Sequence, residues 1–238
     1  MNSSIVSEHG RPEHREDYVK IGIIGAGNIG GNAAALLAKA GHDIVVSFSR
    51  EDAKLRELAD RTGARAGTPA EAATHGEVVM LSVPWGLVDV ALERAGDLAG
   101  RIVIDTTNQF GRIGGEFGVL DLDGSSASAL NAAKAPKARW AKAFNTLTAG
   151  FQASSAGRTG PDRVVMFYAT DHDDVAATVE TLINDAGFDP VRTGGFDRTE
   201  VGHQEPKGDL YGEEFHHDEA VALVAKLRGT PPSGRGRP

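Results

Sequence analysis

The chain of 238 residues contains no cysteine. That absence removes disulfides, a thiolate nucleophile, cysteine-ligated zinc and iron–sulfur clusters from consideration. Also lacking is any apolar run of bilayer-spanning length, and the polar start from Met1 to Asp17 has no apolar core of the secretory type. The expected location is the cytoplasm, with no membrane partner. Basic residues are outnumbered, and a net charge of −8 argues against a nucleic-acid partner. Neither a catalytic triad, nor a carboxylate pair, nor a metal motif stands out. The adjacent His216 and His217 read as solvated surface. His203, in a late loop, stays open between a substrate contact and an ordinary loop residue.

What is present is alternation. Short runs rich in Val and Ile alternate with Ala- and Leu-rich stretches of helical period, the pattern of a parallel sheet covered by helices. Strands are expected at Val19–Ile24, Ile44–Phe48, Val78–Val83, Ile102–Asp105, Ala141–Phe144, Val164–Ala169 and Pro190–Thr193. Most are apolar on both faces, as parallel strands must be. Helices are expected at Ile29–Ala40, Asp52–Thr62 and Val175–Ala186, with a capping box at Thr68-Pro69-Ala70-Glu71. Gly111 to Gly124 is Gly-rich without sustained period and reads as a long connection, a kind that is often functional. The fold class is therefore α/β: a Rossmann-type, doubly wound, mostly parallel sheet with a small C-terminal βαβ extension. Residues 19–150 form the nucleotide-binding domain, 151–228 an extension packed on the same sheet, and 1–18 and 229–238 disordered tails.

Gly25-Ala26-Gly27-Asn28-Ile29-Gly30 places a G-x-G-x-x-G directly after an apolar strand and directly before an amphipathic helix. The first glycine permits the tight turn, the second lets a pyrophosphate approach the backbone, and the third lets helix and strand pack closely. Asn28 serves either as a phosphate contact or as a helix cap; Ile29 begins the apolar helix face. An NAD site usually supplies an acidic residue about 20 positions past the glycines, for the ribose 2′-hydroxyl. Here the second strand ends in Ser49 and Arg50, whose hydroxyl and guanidinium suit a 2′-phosphate and thus NADP(H). Two alternatives stay open: Ser49 caps the helix that follows, and Glu51 binds a ribose hydroxyl.

Ligands in such folds sit beyond the carboxyl ends of the strands. Val83-Pro84-Trp85, Asn108, Asn145 and Thr146 follow three of the expected strands and together make one wall of a nicotinamide pocket. Pro84 turns the chain out of its strand, and Trp85 offers a flat apolar face unless it is a helix-start or core aromatic. Asn108, Asn145 and Thr146 can bond a carboxamide without introducing charge, turn formation being the competing role. No catalytic side chain is assigned, because hydride transfer between two bound rings depends mainly on positioning.

The glycine loop, Ser49-Arg50, Val83-Pro84-Trp85 and Lys142-Ala143-Phe144-Asn145-Thr146, in that order within residues 20–195, resemble the coenzyme F420-dependent NADP oxidoreductase family. The same combination is similar to the nucleotide domain of membrane-bound ferric reductases of the six-transmembrane epithelial antigen type. The resemblance implies hydride exchange between NADP(H) and a small redox partner, coenzyme F420 or a flavin such as FMN or FAD. In that family the glycine loop would bind pyrophosphate, Ser49 and Arg50 the 2′-phosphate, and Pro84, Trp85, Asn145 and Thr146 would border the nicotinamide. It also implies a homodimer closed by an apolar helical end, from which the polar stretch Thr199 to Asp218 departs. Two other functions fit the motifs: a reductase of a small carbonyl or imine, needing a Tyr, Lys or His proton donor beside the nicotinamide, and an NADP(H)-binding redox sensor whose polar C-terminal region contacts a partner protein.

A charge-assisted bond contributes about 1.5–3 kcal/mol. Removing the Arg50 guanidinium as Arg50→Ala should weaken NADPH binding about tenfold to a hundredfold, with little change for NADH, as fluorescence titration would show.

Overall fold

Strands that are apolar on both faces need cover on both sides, and the chain supplies it with helices on each face of one sheet. The structure is a computed structural model that describes residues 18–49 and 51–234. The expected N-terminal tail up to Asp17, Arg50 and residues 235–238 lie outside the described residues. In chain order the elements are β1 (Lys20–Ile24), α1 (Asn28–Lys39), β2 (Asp43–Ser47), α2 (Asp52–Thr62), β3 (Arg65–Ala66), α3 (Pro69–His75), β4 (Val78–Leu81), α4 (Val88–Ala95) and β5 (Ile102–Asp105). They continue with β6 (Phe110–Ile113), β7 (Glu116–Val119), α5 (Ala127–Ala132), β8 (Arg139–Ala143), α6 (Ala149–Ser155), β9 (Val165–Thr170), α7 (Asp173–Asp185), β10 (Asp189–Gly194) and α8 (His217–Leu227).

Eight strands form one sheet in the order β10-β9-β8-β5-β4-β1-β2-β3. All neighbours are parallel except β8 and β9, which run antiparallel. The fold is the expected mostly parallel α/β sheet, and β9, α7 and β10 extend it at one edge. Alternation along the strands sorts their side chains into two cores. Ile21, Ile23, Val46, Met80 and Ile104 meet α1, α2 and α7 on one face, and Ile24, Val45, Val79, Leu81 and Val103 meet α3 and α4 on the other. Among the described residues no helix is long and apolar enough to cross a membrane.

Local signals are realised as chemistry. Both arms of the capping box are present at α3, with Glu71 N donating to Thr68 Oγ1 at 3.2 Å and Thr68 N donating to Glu71 Oε2 at 2.7 Å. The connection Gly111 to Gly124 differs from expectation. It begins inside an antiparallel hairpin, β6–β7, which turns at Gly114 and Gly115 with φ of 59° and 95°. Alternating glycines had hidden its period. The expected tail from residue 229 is also not free up to Gly234: Ser233 N donates to Asp209 Oδ2 at 3.0 Å, and the Thr230 carbonyl lies 3.0 Å from His203 Nε2.

Between β5 and β8 the register sets Asp105 opposite Lys142, and both side chains are fully buried. Lys142 Nζ donates to Asp105 Oδ2 at 3.2 Å and to the Thr107 carbonyl. Asp105 also accepts from Thr107 N at 2.8 Å and from Asn131 Nδ2 at 3.1 Å. Removing one member of such a pair strands the other charge in the core. Lys142→Met should therefore lose about 3–5 kcal/mol of stability in urea unfolding, and adding Asp105→Asn should restore most of it.

Candidate functional site

The glycine loop is built by backbone approach. Gly25 follows β1 with φ +120°, and a Cβ there would lie 2.0 Å from the Ser82 carbonyl oxygen beyond β4. A Cβ on Gly30 would lie 1.9 Å from the Gly25 oxygen. Only glycine allows α1 to start this close to the sheet. Gly27 is different: it is exposed, and a Cβ would meet nothing within 4 Å. It is the N-cap of α1, with no side-chain cap and no acidic residue in the first turn. The amides opening α1 thus face a clear space and carry the positive end of the helix dipole. Exposed Asn28 takes no part in capping, which removes that alternative, and half-buried Ile29 packs on the core.

The end of β2 ties the loop down. Gly25 N donates to the Ser47 carbonyl at 3.0 Å and Ala26 N to that of Phe48 at 3.4 Å. Phe48 holds φ +58° and Phe144, just after β8, φ +60°. These left-handed conformations cost an L-residue roughly 1–2 kcal/mol each. Each turns its carbonyl toward a neighbouring segment, that of Phe144 accepting from Gln152 Nε2 at 3.1 Å. Ser49 does not cap α2 itself. Its Oγ accepts from Glu51 N at 3.3 Å, and the N-cap of α2 is Glu51. The Glu51 carboxylate is held by Lys54 at 2.7 Å.

Of the residues expected at the nicotinamide wall, Val83 is a core residue under the glycine loop, Pro84 is exposed, and half-buried Trp85 opens a single 3-10 turn, with Lys134 Nζ 5.9 Å from its ring centre. Asn108 and Asn145 are brought together. Asn108 Nδ2 donates to the Asn145 carbonyl at 2.9 Å, and Asn145 Nδ2 to Asn108 Oδ1 at 3.1 Å. Asn145 and Thr146 are buried, and among the described residues Asn145 Oδ1 and Thr146 Oγ1 find no hydrogen-bond partner, a condition shared by Gln109 Oε1, Asn131 Oδ1 and Gln204 Oε1. Leaving such atoms unpaired costs about 1–3 kcal/mol each, which a carboxamide placed against the first two would recover. A clear space over Gly27, uncapped amides and these two unpaired atoms together fit the two ends of a dinucleotide.

Within the polar C-terminal stretch, residues 201–206 are turned inward, while Lys207 and Gly212 to Glu214 are exposed. Gln204, fully buried in a 3-10 turn (Val201–Gln204), accepts through its carbonyl from Asn145 Nδ2 at 2.7 Å. Glu205 Oε1 accepts from Ser128 N at 3.1 Å, and Gly212 N donates to the Thr146 carbonyl at 2.9 Å. The Tyr211 hydroxyl sits 3.4 Å from Asn108 Nδ2, and burial raises its pKa above the ordinary phenol value. His203 is buried, with Nδ1 2.8 Å from Asp209 Oδ2, so it holds the segment rather than facing the pocket wall. His216 and His217 point to different partners, the Arg163 carbonyl and Asp189. Tyr211 and Gln204 carry no sequence motif. Only the topology reveals them.

Residues 20–109 match the family described as NADP oxidoreductase, coenzyme F420-dependent. The resemblance read from the sequence therefore holds over residues 20–109, which carry the glycine loop, Ser49-Arg50 and Val83-Pro84-Trp85 but not Lys142 to Thr146. No curated protein matches the chain. Among solved structures it is similar to a hypothetical protein from Sinorhizobium meliloti, with 29% identity over 85% of this chain and 98% of that one, and a TM-score of 0.75. A candidate F420-dependent NADP reductase from an Arthrobacter species shares 23% identity over 75% of this chain and 86% of its own, at a TM-score of 0.67. A reductive aminase from Aspergillus terreus, solved with NADPH, shares 19% over 88% of this chain and 61% of its own, at 0.58. The last two likenesses bear on the fold alone.

Gly27 separates folding from binding. Gly27→Ala adds a methyl group where nothing clashes, so its urea midpoint should stay within the usual small range of a surface change. Its NADPH affinity should fall at least tenfold in a fluorescence titration, because the methyl fills the phosphate's approach. Gly30→Ala should lose both.

Proposed function

We propose that the protein is an NADP(H)-dependent oxidoreductase that passes hydride between the nicotinamide and a flavin or deazaflavin such as coenzyme F420. The observation that carries this reading is the open, uncapped start of α1 at Gly27, within a segment that matches an NADP oxidoreductase family. NADP(H), when bound, supplies or takes up the hydride. The α1 amides hold its pyrophosphate, Ser49 and Arg50 recognise the 2′-phosphate, and Asn145 and Thr146 fix the carboxamide. Pro84 and Trp85 border the ring. The Asn108–Asn145 pair positions Asn145, and the inward C-terminal segment excludes water from this end of the site.

The test is NADPH oxidation by purified protein, followed optically with coenzyme F420, FMN and FAD in turn. Turnover with one of them supports the reading and selects the acceptor. Tight NADPH binding without turnover on any of the three overturns it.

One observation favours a second reading, reduction of a small carbonyl or imine. Such a reaction needs a proton donor, and Tyr211 is the hydroxyl that meets Asn108 at the pocket wall. With its pKa raised by burial, the phenol stays protonated throughout the neutral range. Its rate should stay level with respect to this group and fall only above the ordinary phenol range of about 10, as the proton is lost. On this reading Tyr211→Phe lowers kcat for a carbonyl or imine about a hundredfold while NADPH affinity is kept. Unchanged kcat with such a substrate excludes Tyr211 as its donor.

A further inference from the structure

A hydride acceptor needs a seat beside the nicotinamide wall, and the β6–β7 hairpin carries one that the fold does not require. Its register puts Phe110, Arg112, Phe117 and Val119 on one face. Phe117 is 73% exposed, the most open of the large apolar side chains among the described residues. It stacks on Phe110 with ring centres 5.5 Å apart and planes 25° apart. Phe110 in turn meets Tyr211 edge to face at 6.4 Å. Two members of that shelf reach Asn108, because Phe110 N donates to the Asn108 carbonyl at 2.7 Å and the Tyr211 hydroxyl meets Asn108 Nδ2. Arg112 shares the face, with one guanidinium nitrogen bonded to the Gly115 carbonyl at 2.7 Å. At Val119 the face borders a cavity of about 240 Å³, also lined by Lys207 and Arg198.

We propose that this face binds the hydride acceptor as a planar aromatic heterocycle with an anionic tail, its ring stacked on Phe117 and its phosphate directed to Arg112. The proposal rests on the flavin or deazaflavin reading above and gives it a location. An exposed aromatic ring beside a cation matches the two parts of such a molecule. A second copy of the chain fits less well. The exposed apolar surface is a few side chains, far below the roughly 1,200–2,000 Å² that a stable interface buries, and two chains of net charge −8 repel.

The experiment titrates FMN, riboflavin and coenzyme F420 into the full-length protein without NADPH, read by quenching of their fluorescence, and then measures KM for the acceptor. Phe117→Ser, on an exposed side chain, should weaken binding of all three and raise KM about tenfold, with NADPH affinity and Tm unchanged. Arg112→Gln should weaken FMN and F420 but leave riboflavin, which lacks the phosphate, as it was. If the wild-type protein reduces an acceptor and Phe117→Ser binds it equally well, the seat is elsewhere and the proposal falls while the proposed function stands. If the wild-type protein neither binds nor reduces any of them, the proposed function falls and the seat with it. If Phe117→Ser instead converts a dimer to a monomer in sedimentation, at unchanged acceptor affinity, the face is a contact between copies and the proposal is overturned.

Discussion

The site depends on how closely α1 can begin against the ends of β1 and β4. A Cβ at Gly30 would sit 1.9 Å from the Gly25 oxygen, and one at Gly25 would sit 2.0 Å from the Ser82 oxygen. Without either side chain, the helix start drops to the level of the strand ends, and its free amides open on the space over Gly27. The rest of the loop preserves that approach. Val83 fills the space beneath, 3.1 Å from where a Gly25 Cβ would stand. The strained Phe48 turns its carbonyl to take the Ala26 amide. A strain of roughly 1–2 kcal/mol is small beside the cost of leaving buried backbone polar groups unpaired on both segments.

The other end of the site depends on charge rather than on close approach. Asp105 and Lys142 occupy paired positions at the ends of neighbouring strands, and their hydrogen bonds reach Thr107 and Asn131. Thr107 precedes Asn108, and Lys142 precedes Asn145 by three residues, so the pair sets the two asparagines that bond one another. Buried pairs of this kind add little net stability, but loss of either partner strands the other charge. Among the described residues, Asn145 Oδ1 and Thr146 Oγ1 are left without partners, where the proposed reading puts the carboxamide.

Most of the sheet was legible in the sequence, because apolar runs bounded by glycines leave few alternatives in a parallel fold. The Gly25–Gly30 loop, the α2 span and the capping box could be read from order and spacing alone. The hairpin could not, since Gly111 and Gly118 interrupt its alternation, and the short helices α5 and α6 are too brief to show a period. The reversal of β9 against β8 was hidden too, because an apolar strand reads the same in either direction. That Asn108, Asn145 and Thr146 follow strands was legible, whereas Gln204 and Tyr211 meet the two asparagines only through the return of the chain from β10. Polar content misled at the C-terminus. Residues 201–206 are all buried, since hydrogen bonds to Asn145 and Ser128 replace those to water.

That inward turn also bears on how an acceptor would reach the pocket. Gln204 and Gly212 occupy hydrogen-bonding positions of Asn145 and Thr146, and Glu205 anchors the segment to the start of α5. A substrate arriving from that side would have to break several buried hydrogen bonds, each left unmade at about 1–3 kcal/mol. Approach over the hairpin, whose Phe110 meets Tyr211 of the same segment, leaves those bonds intact. There the hairpin packs beside the 3-10 turn of Trp85–Leu87 and presents Phe117 and Arg112 to solvent. A flat ring settling on the exposed Phe117, as proposed, exchanges water for an aromatic face. On the proposed reading, the C-terminal segment therefore selects the acceptor indirectly: by closing the polar approach, it leaves the aromatic one.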